Sequence, residues 1–282
     1  MTDEFALRFV TQLAQELSAG SIRLPSLPDV VVKIRRVLEQ DDCDFDRVAQ
    51  AVAADAMLVS RLLVFANSAA YNPAGEKVES LDAAISRLGF ELVRNTAIAL
   101  ALKQLFLGQK HKAVATPVRS LWGRSMQLSA LAHCIAARHK AVDAETAYLC
   151  GLLHEVGKLY ILTKAHEFPE FLGNGSAMQM VIGEWHAKIG KSILEAWGFP
   201  DEVCESADPS EHLDDHTHLD PSFADVMFVA ERMLAAEEDG VPNFSTMPSS
   251  VKLGISNEEA GDILSAYRAK LNEVKGTLSD VE

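Results

Sequence analysis

Apolar residues along this chain return at intervals of three and four, and no stretch of any length alternates apolar with polar, so the pattern predicts helices and no sheet. From about Asp3 to Leu17 the stripe Phe5, Leu7, Phe9, Val10, Leu13, Ala14 and Leu17 predicts a helix closed by Gly20. The rigid run Leu24-Pro25-Ser26-Leu27-Pro28 opens a second helix through Val30, Val31, Ile34 and Val37. Asp44 is the expected cap of a short helix, Phe45 to Ala54, and the apolar run Met57 to Ala66 predicts another, ending at Asn67-Ser68. A loop with Pro73 and Gly75 follows; then Ser80 caps a helix that Gly89 ends. Phe90 to Leu107 reads as one long helix, and the basic link Gly108 to Lys112 as a subdomain boundary. Further helices are expected from Pro117 to about Arg138, from Ala144 to about Lys164 and from Met178 to Trp197, the last stopped by Gly198-Phe199-Pro200. Asp208 to Pro221 reads as a polar loop, and helices of roughly Ser222 to Glu237 and Asn257 to Val274 complete an all-α chain.

Composition narrows the class. The 282 residues are 48% hydrophobic and 23% charged, enough for one large domain or two modest ones. A net charge of -14, from 26 basic against 40 acidic residues, disfavours general nucleic-acid or anionic-membrane binding, which rests on phosphate neutralisation by Lys and Arg. Cys43, Cys134, Cys150 and Cys204 show no C-x-x-C spacing and read as reduced thiols that pack as small hydrophobes. The acidic start is no signal peptide and no apolar run reaches a membrane span, so a soluble, cytoplasmic protein is expected. Nothing in the sequence indicates an oligomeric state.

Candidate chemistry gathers in the apolar run Ala147 to Tyr160. On one continuous helix, Gly151, His154 and Lys158 share a face, with Gly157 beside them. Each glycine costs such a helix about 1 kcal/mol relative to alanine, and close approach of another backbone or a bound ion is the usual reason. His212, Asp214, Asp215, His216 and His218 are ligand types at close spacing, but in a loop without a helical scaffold, where a solvated polar segment is the simpler reading. His111, His139 and His166 stand isolated among charged residues and are expected to be exposed. No P-loop, dinucleotide fingerprint or nucleophile elbow is present.

Four ordered motifs together resemble the HDOD (HD-related output domain) family. They are Leu24-Pro25-x-Leu27-Pro28, the Asp55-to-Tyr71 run containing Ala66-Asn67-Ser68, Ser80-Leu81-x-x-Ala84-Ile85-x-x-Leu88-Gly89, and Gly151-Leu152-Leu153-His154-Glu155-x-Gly157-Lys158. The resemblance runs from about Leu24 to the neighbourhood of Ala207. It implies a two-lobed helical bundle: an N-terminal helix over 1–23, an N-terminal lobe over about 24–110, a lobe similar to HD metal-dependent phosphohydrolases over about 111–220, and C-terminal helices over 221–282 that complete or flank it.

Enzymes of the HD superfamily hold a divalent ion with a first His, a His-Asp pair and a later Asp, a suitable set of imidazole and carboxylate ligands. By resemblance the pair falls on His154-Glu155, the later Asp on Glu231, and an additional histidine of two-metal relatives on His186. The first His falls on Arg124, whose guanidinium has no lone pair to give. His133, nine residues along the same expected helix, faces the opposite side. The paired histidines expected after Pro200 are replaced by Pro209 and Ser210.

Two functions are therefore implied. One is a non-catalytic signalling scaffold without a cofactor, binding a protein partner or small signalling ligand, in which Arg124, Glu155, Lys158 and Glu231 form an ion-pair cluster in place of a metal. The other is a phosphohydrolase acting on nucleotides or phosphoesters. Its Mn, Ni, Mg or Fe ion would be held by His154, Glu155, His186 and Glu231, with Lys158 contacting phosphate.

Overall fold

Side-chain caps fix several helix starts, three of them within a residue of where the sequence places them and the fourth, behind Asn174, three residues ahead of the expected Met178. Asp55 accepts from the Met57 and Leu58 N–H groups at 2.9 and 3.1 Å, Ser80 from Ala83 at 3.2 Å, Asp143 from Thr146 at 2.6 Å, and Asn174 from Ala177 at 3.3 Å. The computed structural model describes residues 7–12, 14–15, 45–69, 71–108, 112–168, 172–209, 220–239 and 242–278. The expected helix through Val30 to Val37, the Asp44 cap, Cys43, His111 and the His212 to His218 cluster lie outside these residues. All regular structure among the described residues is helical, with no strand.

The chain divides into two compact units. One takes its described residues from 26–105 and 272–282. It contains α1 (Phe45–Ala53), α2 (Ala56–Ala66), α3 (Leu81–Leu88) and most of α4 (Phe90–Leu107). Val48, Val52, Leu62, Ile85, Val93, Ile98 and Leu102 form its core. The loop between α2 and α3 is pinned by Asn67, whose carboxamide bonds both backbone groups of Val78, and by Arg87, which donates to the carbonyls of Ala66 and Glu76.

The other unit draws on residues 1–25 and 106–271. Its helices are α5 (Lys112–Ala136), α6 (Ala144–Leu153), α7 (Val156–Ala165), α8 (Gly175–Ala196), α9 (Asp201–Glu205), α10 (Phe223–Asp239), α11 (Pro248–Lys252) and most of α12 (Asn257–Leu278). Leu128, Leu131, Leu152, Ile161, Ile189, Val229, Met233 and Phe244 are fully buried there. Gly198, at φ 73°, ends α8 as expected: its N–H reaches Glu195 and that of Phe199 reaches Leu194, a left-handed cap only glycine adopts freely. The buried Asp225 carboxylate, 3.5 Å from Lys252, ties α11 to α10.

Two expectations are corrected here and two short elements are added. The helix expected from Pro117 begins at Lys112, because burial of Val114 and Val118 outweighs the single bond that Pro117 removes. The short α11 and the 3₁₀ turn Phe244–Thr246 were not expected, being too brief to show a period. The helix expected over Ala144 to Lys164 is two helices, interrupted at His154-Glu155, where Glu155 has φ -85° and ψ 2°. No single described helix is long and apolar enough to cross a membrane.

Candidate functional site

The interruption between α6 and α7 is wedged against two helices by its flanking glycines. A Cβ on Gly151 would land on the Ser129 backbone of α5 and 2.6 Å from the Leu128 carbonyl carbon. One on Gly157 would land on the His186 carbonyl of α8 and 2.8 Å from the Gly190 nitrogen. Both glycines thus serve close backbone approach, toward different helices and not along one shared face. They bring His154 and Glu155 beside Arg124 of α5.

At the centre Glu155 is 0% exposed. Its Oε1 accepts from Arg124 Nε at 2.9 Å and from Lys158 Nζ at 3.2 Å. Lys158 Nζ also lies 3.0 Å from Oε2, without hydrogen-bond alignment, so that oxygen is held by charge alone. The Arg124 side chain, 38% exposed, reaches on toward solvent, with Nη2 3.9 Å from Glu231 Oε1. Glu155 also starts α7, where a negative charge complements the helix dipole.

Glu231, on α10, completes the group. Its Oε1 lies 3.1 Å from His154 Nε2. Burial alone would raise the Glu231 carboxyl, but the hydrogen bond from His154 and the charges of His154, Lys158 and Arg124 outweigh it and hold it down to about 2. An ionised carboxylate only accepts, so His154 Nε2 carries the proton and donates it. His154 Nδ1, on the buried far side of the ring, has no hydrogen-bond partner.

His186, on α8, is fixed differently. Its Nδ1 lies 2.6 Å from the Ile182 carbonyl, which accepts, so Nδ1 is the donor. Burial, and after it the Lys158 charge, lowers the His186 imidazole below its ordinary value. His133 faces away from this group and pairs with Glu145 at 3.3 Å. His139 and His166, expected to be exposed, are half-buried. Cys134, Cys150 and Cys204 are buried; burial pushes the Cys150 thiol up to about 12 and leaves it inert. Two features had no clear mark in the sequence: the buried, unbonded Ser125 hydroxyl beside Arg124, and the Ile182 anchor, whose only sign is its i−4 spacing from His186.

A divalent ion would need His154, Glu155, His186 and Glu231, and these do not fit one. Glu155 already has two cations upon it, and His154 turns a proton, not a lone pair, toward Glu231. Among the described residues no group of three or more His, Cys, Asp or Glu side chains is arranged to hold a metal. Arg124 and Lys158 balance Glu155 and Glu231 charge for charge.

A sequence model of the HDOD domain matches residues 24–212. An uncharacterised protein of Treponema pallidum (strain Nichols) is 24% identical over 207 residues, 68% of this chain and 38% of that protein, so the chain spans well under half of its relative's length. Among solved structures, a candidate metal-dependent phosphohydrolase of Shewanella amazonensis SB2B aligns with TM-score 0.76 and 24% identity, covering 98% of this chain and 100% of that one. A Marinobacter aquaeolei VT8 protein named as a candidate in signal transduction aligns with TM-score 0.71 and 22% identity over 99% of this chain and 69% of that one. An HDOD domain protein of unknown function from Geobacter sulfurreducens gives TM-score 0.69 and 21% identity, over 96% and 97%. At these identities the likeness is one of fold.

Proposed function

The chain belongs to the HDOD family, and from that premise we propose that it is a non-catalytic signal-transduction module, a helical scaffold that binds a protein partner or a small signalling ligand. One observation carries this reading: the buried Glu155 carboxylate is held by Arg124 at 2.9 Å and Lys158 at 3.0 Å, so protein cations stand against the carboxylate that, by resemblance, enzymes of the HD superfamily turn to a metal. The proton on His154 Nε2 supports it, since that nitrogen is committed to Glu231. The names of the structural relatives divide between signalling and phosphohydrolysis; the side chains at this site favour the first.

The test is metal analysis of the purified protein joined to a phosphoester and nucleotide screen in manganese, nickel, magnesium and iron(II). The expected result is no stoichiometric ion and no turnover. Stoichiometric ion that disappears in His154→Ala, with turnover in the unaltered chain, would replace this reading with a phosphohydrolase.

A further inference from the structure

The segment Glu76 to Glu79, between α2 and α3, is bonded along one edge among the described residues. Asn67 Nδ2 donates to the Val78 carbonyl at 2.7 Å and Asn67 Oδ1 accepts the Val78 N–H at 2.7 Å, while Arg87 donates to the Glu76 carbonyl at 2.9 Å. In an extended chain the polar groups of alternate residues share an edge and those between them face the other. Both polar groups of Val78 turn to the one Asn67 carboxamide, which marks an extended residue, so the N–H and C=O groups of Lys77 and Glu79 on either side face the other edge, and none has a backbone partner among the described residues. An open groove of about 930 Å³ is lined by this edge and by Leu63, Val64 and Ala69, and Val64 is 51% exposed.

We propose that this edge pairs antiparallel with the same edge of a second copy of the chain, about a two-fold axis at Val78. In that register Lys77 stands opposite the partner's Glu79, and Glu79 opposite the partner's Lys77. These positions are the hydrogen-bonded pairs of the ladder, each exchanging both N–H···O bonds. Val78 falls at the non-bonded place between them, where its polar groups must point away, as Asn67 already holds them. The charges agree with the geometry. Within one chain Lys77 and Glu79 are 2.9 Å apart and three-quarters exposed, a weakly held pair that can exchange for two across the interface. A parallel pairing in the same register would set like charges together. Protective edge strands carry charges that repel an incoming copy; these attract one, in an isologous contact.

Analytical ultracentrifugation of the full chain up to high micromolar concentration tests this. A concentration-dependent dimer is expected, with Lys77→Glu and Glu79→Lys each raising its Kd about tenfold and the double exchange K77E/E79K restoring it to within about threefold. Both positions are exposed, so an unchanged melting temperature shows that each variant is folded. A chain monomeric throughout, a dimer indifferent to the single reversals, or a double exchange no better than the singles would overturn the proposal. The edge lies in the unit that does not contain the ion-pair cluster, so its failure leaves the reading of that cluster untouched.

Discussion

At Glu155 a fully buried carboxylate is balanced by two cations, and its burial sets what the loss of either would cost. Arg124→Ala leaves Glu155 to Lys158 alone, and a buried carboxylate stripped of a bonded cation loses about 2 kcal/mol or more. Arg138, whose contact with Asp262 is 3.8 Å long and exposed at both ends, is the control, and Arg138→Ala should cost no more than about 1 kcal/mol. Equal losses for the two in chemical denaturation would sink the cluster as a structural element. Glu231 adds a pH signature. Its carboxyl is held at about 2 against an ordinary 4.5, so its stabilisation is complete above about pH 5 and is lost as pH falls toward 2. By linkage that contribution is on the order of 3 kcal/mol. The stability gap between the unaltered protein and Glu231→Gln should therefore close between pH 5 and 2; a constant gap would contradict the pairing. Through the family resemblance a cluster of Arg124, Glu155, Lys158 and Glu231 was an expectation of the sequence, because an arginine in a ligand's place suits carboxylates and not an ion. The direction of the His154 proton and the Ile182 anchor of His186 were not legible, since both depend on neighbours brought in by other helices.

Among the elements, α6 and α7 decide how the site is built. Gly157→Ala would drive a methyl into the His186 carbonyl, and neither backbone can yield without parting α7 from α8, so a loss above about 3 kcal/mol is expected. Gly123, on α5, has nothing within 4 Å of a built Cβ, and Gly123→Ala should stabilise by about 0.5–1 kcal/mol. Denaturant midpoints that move the same way in both variants would remove close packing as the reason for Gly157. The capped start of α3 and the glycine stops of α3 and α8 were legible, because these signals lie within a few residues of the ends they set, whereas the start of α8 lies three residues ahead of the expected Met178. The break at His154-Glu155 was not, because neither proline nor glycine occupies it and its neighbours continue the apolar run. It follows from packing against α5 and α8, which periodicity along one segment does not encode.

In the whole molecule the helical class was legible from periodicity, and the family from four separated motifs. Membership of three distant segments in one site was legible only through that resemblance, since Arg124, the His154-Glu155 junction and Glu231 come together by the folding of a single compact unit. That unit carries the central claim, a site held by its own ion pairs in a signalling scaffold. The melting temperature of the purified protein in EDTA and in excess manganese tests it most directly, because an ion that binds only the folded state must raise it. The two values are predicted to agree within about 1 °C; a rise of about 4 °C or more with manganese, abolished in His154→Ala, would contradict the account.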